Sequence, residues 1–192
     1  MIAYHFLKAN METRSSYETA WTIGEERTIK AKTLKLCVRG YHSSPSLFGA
    51  LKYAPGPIAC LVEVSEPEAK DTDKQVSRIR KLLVAIDVSN ELREFACDCA
   101  EHALEREREA GREPDARSWK AIEVARAFIR GEAALGDLNV AANAANAAYD
   151  AAYATYATNA AYAAYAERQW QRERFDALVL PRLESAIRGD AS

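Results

Sequence analysis

The chain lacks a charge excess, a long apolar run and the short loops that nucleotide-dependent enzymes carry. Its 26 Lys and Arg against 28 Asp and Glu leave a formal charge of -2 over 192 residues, which argues against a strongly cationic nucleic-acid binder. No stretch approaches about 18 uninterrupted apolar residues, so no membrane-spanning helix is expected and no membrane partner with it. The start, Met1-Ile2-Ala3-Tyr4-His5, has neither the charged region nor the cleavage site of a secretory leader, and the expectation is a cytoplasmic protein. Walker-type, GxGxxG, HExxH and nucleophile-elbow motifs are absent, which removes the usual support for nucleotide-dependent and hydrolytic chemistry; no cofactor is expected. There are four cysteines, Cys37, Cys60, Cys97 and Cys99, and no CxxC pair. They read as reduced, half-buried small hydrophobes inside strands and helices.

The composition present is uneven along the chain. Of 37 alanines, 26 lie beyond residue 100. Up to Lys70 the chain shows short β-type runs at Ile2 to Leu7, Trp21 to Ile23, Leu36 to Val38 and Ile58 to Val64, punctuated by Pro and Gly. The run at 58 to 64 is apolar on both faces as far as Glu63, as a central strand would be. Between Cys37 and that run, Gly40 to Pro45 reads as a turn and Ser46 to Ala54 as a short helix. The run Glu66 to Asp73 reads as a linker. The spacing of Ile79, Leu82, Leu83 and Ile86 predicts a helix over Gln75 to Val88, although Val84, Ile86 and Val88 also fit a strand. From Ser89 or Asn90 one apolar helical stripe runs to a stop at Gly111; a second helix starts near Asp115 or Ser118, burying Trp119, Ile122 and Phe128, with Gly131 as a break. The expected architecture is α+β: a small sheet domain over residues 1–70, then an all-helical Ala-rich bundle over 71–192.

Fifteen of the 26 residues from Ala141 to Ala166 are alanine. Alanine has the best helix propensity, so a helix is expected despite the low complexity. At 100 degrees per residue Tyr149, Tyr153 and Tyr156 share one face, while Tyr162 and Tyr165 fall nearly opposite. These tyrosines serve either as the packing of a bundle's inner helix or as a row of aromatic anchors for a protein partner. A narrow Ala-lined helix also suits burial in a homodimer. Pro181 is expected to break or bend the last helix.

The run Glu91-Leu92-Arg93-Glu94-Phe95-Ala96-Cys97-Asp98-Cys99-Ala100-Glu101-His102 and the run Ala125-Arg126-Ala127-Phe128-Ile129-Arg130-Gly131-Glu132, followed by the Ala tract, resemble the alanine-rich putative immunity-protein family over residues 90 to 170. The resemblance implies a helical module, encoded beside bacterial toxins or in prophages, that binds and neutralises a protein and carries no catalysis. Tyr4 to Lys8, Trp21 to Gly24 and Cys37 to Ser44 look like an uncharacterised domain of phage and prophage proteins, with a strand, then Gly-aromatic-His, then a short helix. The two together imply an inhibitor of a bacterial target, a toxin or a host defence complex such as CRISPR, acting by steric occlusion.

The N-terminal pattern is also similar to ADP-ribosyltransferases, in which a strand His or Arg, a Ser or Tyr and a later Glu surround NAD. His5, Ser43 (or Tyr41) and Glu63 take those places in this alternative, as ribose donor, nicotinamide wall and orienting carboxylate. Only about twenty residues separate Ser43 from Glu63, and seventy are few for such a core. Cys99 and His102 share a helix face but Cys97 lies about 200 degrees from Cys99, so no metal site is expected. Arg78, Arg80, Lys81, Arg126 and Arg130 are the residues from which a nucleic-acid patch would have to be assembled; none is expected. The run Glu105 to Glu109 reads as a solvated helix end.

Overall fold

The structure is a computed structural model that describes residues 1–15, 18–141, 143 and 160–189, with backbone alone at 160–165. The chain is α+β and divides into two compact units, residues 1–89 with 175–192, and residues 90–174.

In the first unit four strands form one antiparallel sheet. These are β1 (Ile2–Leu7), β4 (Ile58–Val64), β7 (Ile79–Asp87) and β2 (Glu26–Thr28), in the order β1-β4-β7-β2, with β4 buried on both faces and β7 alternating. A second antiparallel sheet is ordered β3 (Tyr41–Ser43), β6 (Gln75–Ser77), β5 (Ala69–Lys70). The register His5↔Cys60, Ala3↔Val62 and Leu7↔Ile58 puts these six side chains on one face of the large sheet, where they pack with Trp21, Tyr41, Val64 and Leu82. The opposite face carries Phe6, Ala59 and Leu61. A bulge between Leu61 and Val62 shifts the β4–β7 register, so that Leu82 pairs with Val62 but Val84 with Leu61.

The same unit holds α1 (Leu47–Leu51), capped by the Ser46 hydroxyl accepting from the Gly49 N–H, and the last turns of the long C-terminal helix. Phe175, Val179 and Leu183 recur every four residues and are essentially fully buried. The Phe175 ring lies 6.5 Å from that of Phe6 and 6.3 Å from that of Phe48. The sheet domain is therefore completed by residues about ninety positions further along the chain.

The second unit begins in α2 (Ser89–Glu109), whose first N–H, that of Ser89, is capped by the Asp87 carboxylate at 2.8 Å. After Gly111 comes α3 (Ala116–Ile129), N-capped by Asp115 through the Arg117 N–H at 2.8 Å. Both helices end in paired 6→1 and 5→2 hydrogen bonds: Arg112 N to Glu107 O with Gly111 N to Arg108 O, and Glu132 N to Ala127 O with Gly131 N to Phe128 O. Residues 135–141 are helical, and α4 (Ala160–Arg188) supplies the rest.

Several expectations are corrected. Residues 75–88 are strands, not a helix; β7 alternates buried Arg80, Leu82 and Val84 with half-buried neighbours, and an arginine at an inward position hides that period from a hydrophobicity reading. The boundary expected at residue 70 falls inside the β5–β6 hairpin, and compactness instead divides the chain after Ser89. Trp21 to Ile23 and Leu36 to Val38 are loop and turn rather than strand, and Cys37 is exposed in that turn. The linker expected over 66–73 contains β5. Helix α4 continues through Pro181, where the missing N–H falls on the exposed side of the helix, with Ala177 and Pro181 both open to water.

Truncating Phe175 to Ala should lower the urea stability of the first unit by about 3 to 5 kcal/mol, the usual cost of deleting a fully buried aromatic ring. A change under about 1 kcal/mol would show that the C-terminal turns contribute little to that core.

Candidate functional site

Arg80 projects from β7 into the core face of the first unit and is only 1% exposed. A guanidinium removed from water must be paired and hydrogen-bonded. Its Nη2 donates to Glu18 Oε2, and its Nη1 donates to the His42 carbonyl at 3.1 Å. Its planar head stacks 4.3 Å from the Trp21 ring and 4.9 Å from that of Tyr41, and Arg27 covers Trp21 at 4.2 Å. Glu18 Oε2 also accepts from Trp21 Nε1 at 3.0 Å, so the carboxylate is held by two donors.

Gly40 sets the strand that supplies Tyr41 and His42. Its φ is +131° and a Cβ there would come within 2.1 Å of Val76 Cγ2, so the turn admits only glycine. His42 Nε2 then accepts from the Cys37 N–H at 2.8 Å, which fixes it as the unprotonated nitrogen. Burial lowers the His42 pKa from its ordinary value; Glu18 opposes this and Arg80 adds to it.

Beside this cluster opens a cavity of about 400 Å³, with His5, His42, Arg80 and Glu18 towards the interior and Cys37, Tyr53 and Lys74 among the outer residues. His5 is half-buried, but its Nε2 is out of contact with solvent and has no hydrogen-bond partner among the described residues. Burial first, then the Arg80 cation and His42, hold its imidazole well below the usual range and therefore neutral. The facing Cys60 thiol is pushed up to about 12 by burial and is inert as a nucleophile. At the outer side Lys74 lies 5.4 Å from the Tyr53 ring, while Tyr53 donates to Asp73 Oδ1 at 2.8 Å.

In the second unit a different cluster joins the helices. Glu94, Asp98 and Glu101 lie on one face of α2 at spacings of four and three. Arg126 of α3 donates to all three, at 3.1, 2.9 and 2.7 Å, and Arg174 of α4 donates to the other oxygen of Asp98 at 2.7 Å. The hydrogen bond from Arg126 holds the Glu101 carboxyl below its usual value. His102 stacks on Trp170 with centroids 4.0 Å apart, and its Nδ1 lies 3.0 Å from Glu167 Oε2. A groove of about 250 Å³ is lined by Trp119, Ile122, Glu123, Glu101, Arg126 and Arg130.

Of the three residues of the transferase alternative, His5 and Ser43 fall opposite one another beside the Tyr4↔Ser44 bridge, and Glu63 does not join them. His5 pairs with Cys60 on the core face, whereas Glu63 pairs with Ile2 on the opposite face and is exposed; Ser43 is buried, its hydroxyl accepting from Gln75 Nε2 at 3.2 Å. The carboxylate near His5 is that of Glu18, whose distance from β7 in sequence left no local signal. Tyr149, Tyr153 and Tyr156 lie outside the described residues, as do the side chains of Tyr162 and Tyr165, whose backbone belongs to α4. Of the arginines considered for a nucleic-acid patch, Arg80 is buried, Arg78 is paired with Glu68, and Arg126 is occupied by three carboxylates. Among the described residues no three His, Cys, Asp or Glu are placed to hold a metal ion, and no helix is long and apolar enough to cross a membrane. No family model, curated protein or solved structure matches the chain.

The two depressed imidazoles give a pH dependence with a definite sign. The unfolded chain protonates both near pH 6.5, while the folded chain resists. Stability should therefore be complete above pH 6.5 and fall as the pH drops below it, by at most about 1.4 kcal/mol per pH unit for each imidazole. Urea midpoints at pH 7, 6 and 5 should decline in that order, and less steeply in His5→Leu; a flat profile would contradict the buried neutral state.

Proposed function

We propose that the chain is a non-enzymatic binding protein that inhibits a bacterial protein target, a toxin or a host defence complex, by covering its working surface. The Trp119 groove on the second unit is the observation that carries this reading. It combines a half-buried tryptophan, a buried isoleucine floor and arginine on its rim, the residue types in which binding energy concentrates at protein interfaces.

The ion cluster supports the same reading from the other side. Asp98, Glu101 and Arg126 belong to the two runs that resemble the immunity-protein family, and they bind one another. These polar groups hold helices in place, with none left over as a nucleophile and base pair. The second unit then acts as an Ala-rich helical bundle, with Leu135 and Val140, 61% and 71% exposed, at the approach to the alanine tract. The alanine tract with Tyr149, Tyr153, Tyr156, Tyr162 and Tyr165 extends the contact surface in this proposal.

The test is capture by the tagged protein from lysate of a bacterium carrying toxin and CRISPR systems, with mass spectrometry of the captured species. The wild-type chain should retain one unmodified protein stoichiometrically. A folded Trp119→Ala variant should bind it at least about 30-fold more weakly, the effect of a hot-spot truncation of about 2 kcal/mol. Equal capture by both, or a captured protein that gains ADP-ribose only when NAD is supplied, would overturn the proposal.

A further inference from the structure

We propose that the loop over residues 30–39 of the first unit is a contact surface for the phosphate backbone of a nucleic-acid duplex, with Lys30, Lys32, Lys35 and Arg39 as the cations that meet it. The net charge of the chain hides this surface, because the two signs are segregated along the sequence. From Arg27 to Val62 there are six Lys or Arg and no Asp or Glu. The outer two, Arg27 and Lys52, are neutralised by Glu25 at 2.6 Å and Asp73 at 2.8 Å. The four between them are exposed, and among the described residues their side chains have no ion-pair or hydrogen-bond partner.

The loop is held in place along residues 76–78. Arg78 Nη1 donates to the carbonyls of Ile29 and Ala31 at 3.1 and 2.6 Å, and the Ile29 N–H donates to the Arg78 carbonyl at 2.9 Å. Ala31 is buried between Lys30 and Lys32, which leaves both lysines on the outside. Leu34 packs beside Gly40, and Gly40 lies against Val76. Lys35 and Arg39 then form an antiparallel bridge, each N–H donating to the other's carbonyl at 2.9 Å. Cys37 at the tip has a φ of +62° and donates its N–H to His42 Nε2, which fixes the turn.

That bridge carries the argument. Residues opposite one another in such a hydrogen-bonded pair stand about 5.5 Å apart at Cα, with their side chains on one face. Two like charges held this way repel and destabilise the turn, and an anion bound between them offsets the repulsion. The composition of the loop selects the anion. Protein interfaces are depleted in lysine and enriched in aromatic residues, whereas this loop has three lysines, no aromatic ring and Val38 as its exposed large apolar side chain. Unpaired bases would need aromatic rings on which to stack. Lysine and arginine without such rings suit phosphate oxygens, a contact that positions a duplex and reads no sequence.

The test is fluorescence anisotropy of a labelled random-sequence DNA duplex, and of an RNA duplex, titrated with the full chain at several salt concentrations. Four phosphate contacts predict that log Kobs falls against log salt with a slope of about −3.6. Replacing Lys35→Gln and Arg39→Gln together should weaken binding and bring the slope to about −1.8. The urea midpoint of that variant should stay the same or rise, because the repulsion is gone, so weaker binding is not a loss of fold. The duplex that binds more tightly names the source of the phosphates. Arg117→Gln with Lys120→Gln removes the same charge from the exposed surface of the second unit and should leave affinity and slope as in the wild type. Equal losses in the two double variants would show an effect of overall charge and overturn the proposal, as would no binding to either duplex at low salt. Polyglutamate bound more tightly than both duplexes would overturn it too, assigning the surface to an acidic protein.

Discussion

The buried ion pair between Arg80 and Glu18 is the constraint around which the first unit is arranged. A guanidinium on the core face of a sheet would cost several kcal/mol if left unpaired. Its compensation comes from four separate places: the Glu18 carboxylate, the Trp21 and Tyr41 rings, and the His42 carbonyl. Glu18 and Trp21 are delivered by backbone outside the strands and helices, Tyr41 and His42 by the short strand β3. Residues 18–24 are thus tied to β7, and β3 is tied to both. The cavity follows from the same arrangement, since the polar head of Arg80 and the two imidazoles occupy space that an all-apolar face would have closed with side chains.

The second unit uses the same pairing chemistry under different conditions. The Arg126 side chain is 26% exposed and Asp98 9% exposed, so the pair is partly shielded from solvent, less completely than Arg80 and Glu18. What the cluster contributes is direction. One arginine reaching three carboxylates spaced along α2 fixes the rotation of α3 about its axis. With that rotation fixed, Trp119 and Ile122 face the same groove.

Much of this was legible in the sequence where local signals act alone. The strands β1 and β4, the cap at Asp115 and the helix stops at Gly111 and Gly131 all follow from propensity, capping and period. What was not legible depends on distant partners. Residues 75–88 read as helix because Arg80 occupies a buried position that only Glu18, 62 residues earlier, makes tolerable. The return of Phe175, Val179 and Leu183 to the N-terminal sheet has no local signature, since the same spacing would suit any bundle. The same is true of the site: His5 was visible as a strand histidine, but its convergence with Glu18 and His42 depends on strand register, and that register also separates it from Glu63.

A double-mutant cycle on Glu18 and Arg80 tests the central claim most directly. Urea unfolding of Glu18→Leu, Arg80→Met and the double variant gives the three free energies. The account predicts a loss of about 3 to 5 kcal/mol for Glu18→Leu, which leaves a buried charge unpaired. Replacing both should cost less than the sum of the single changes by about 2 kcal/mol or more. Single variants that are each nearly neutral, or losses that simply add, would show that the first unit is organised without this pair.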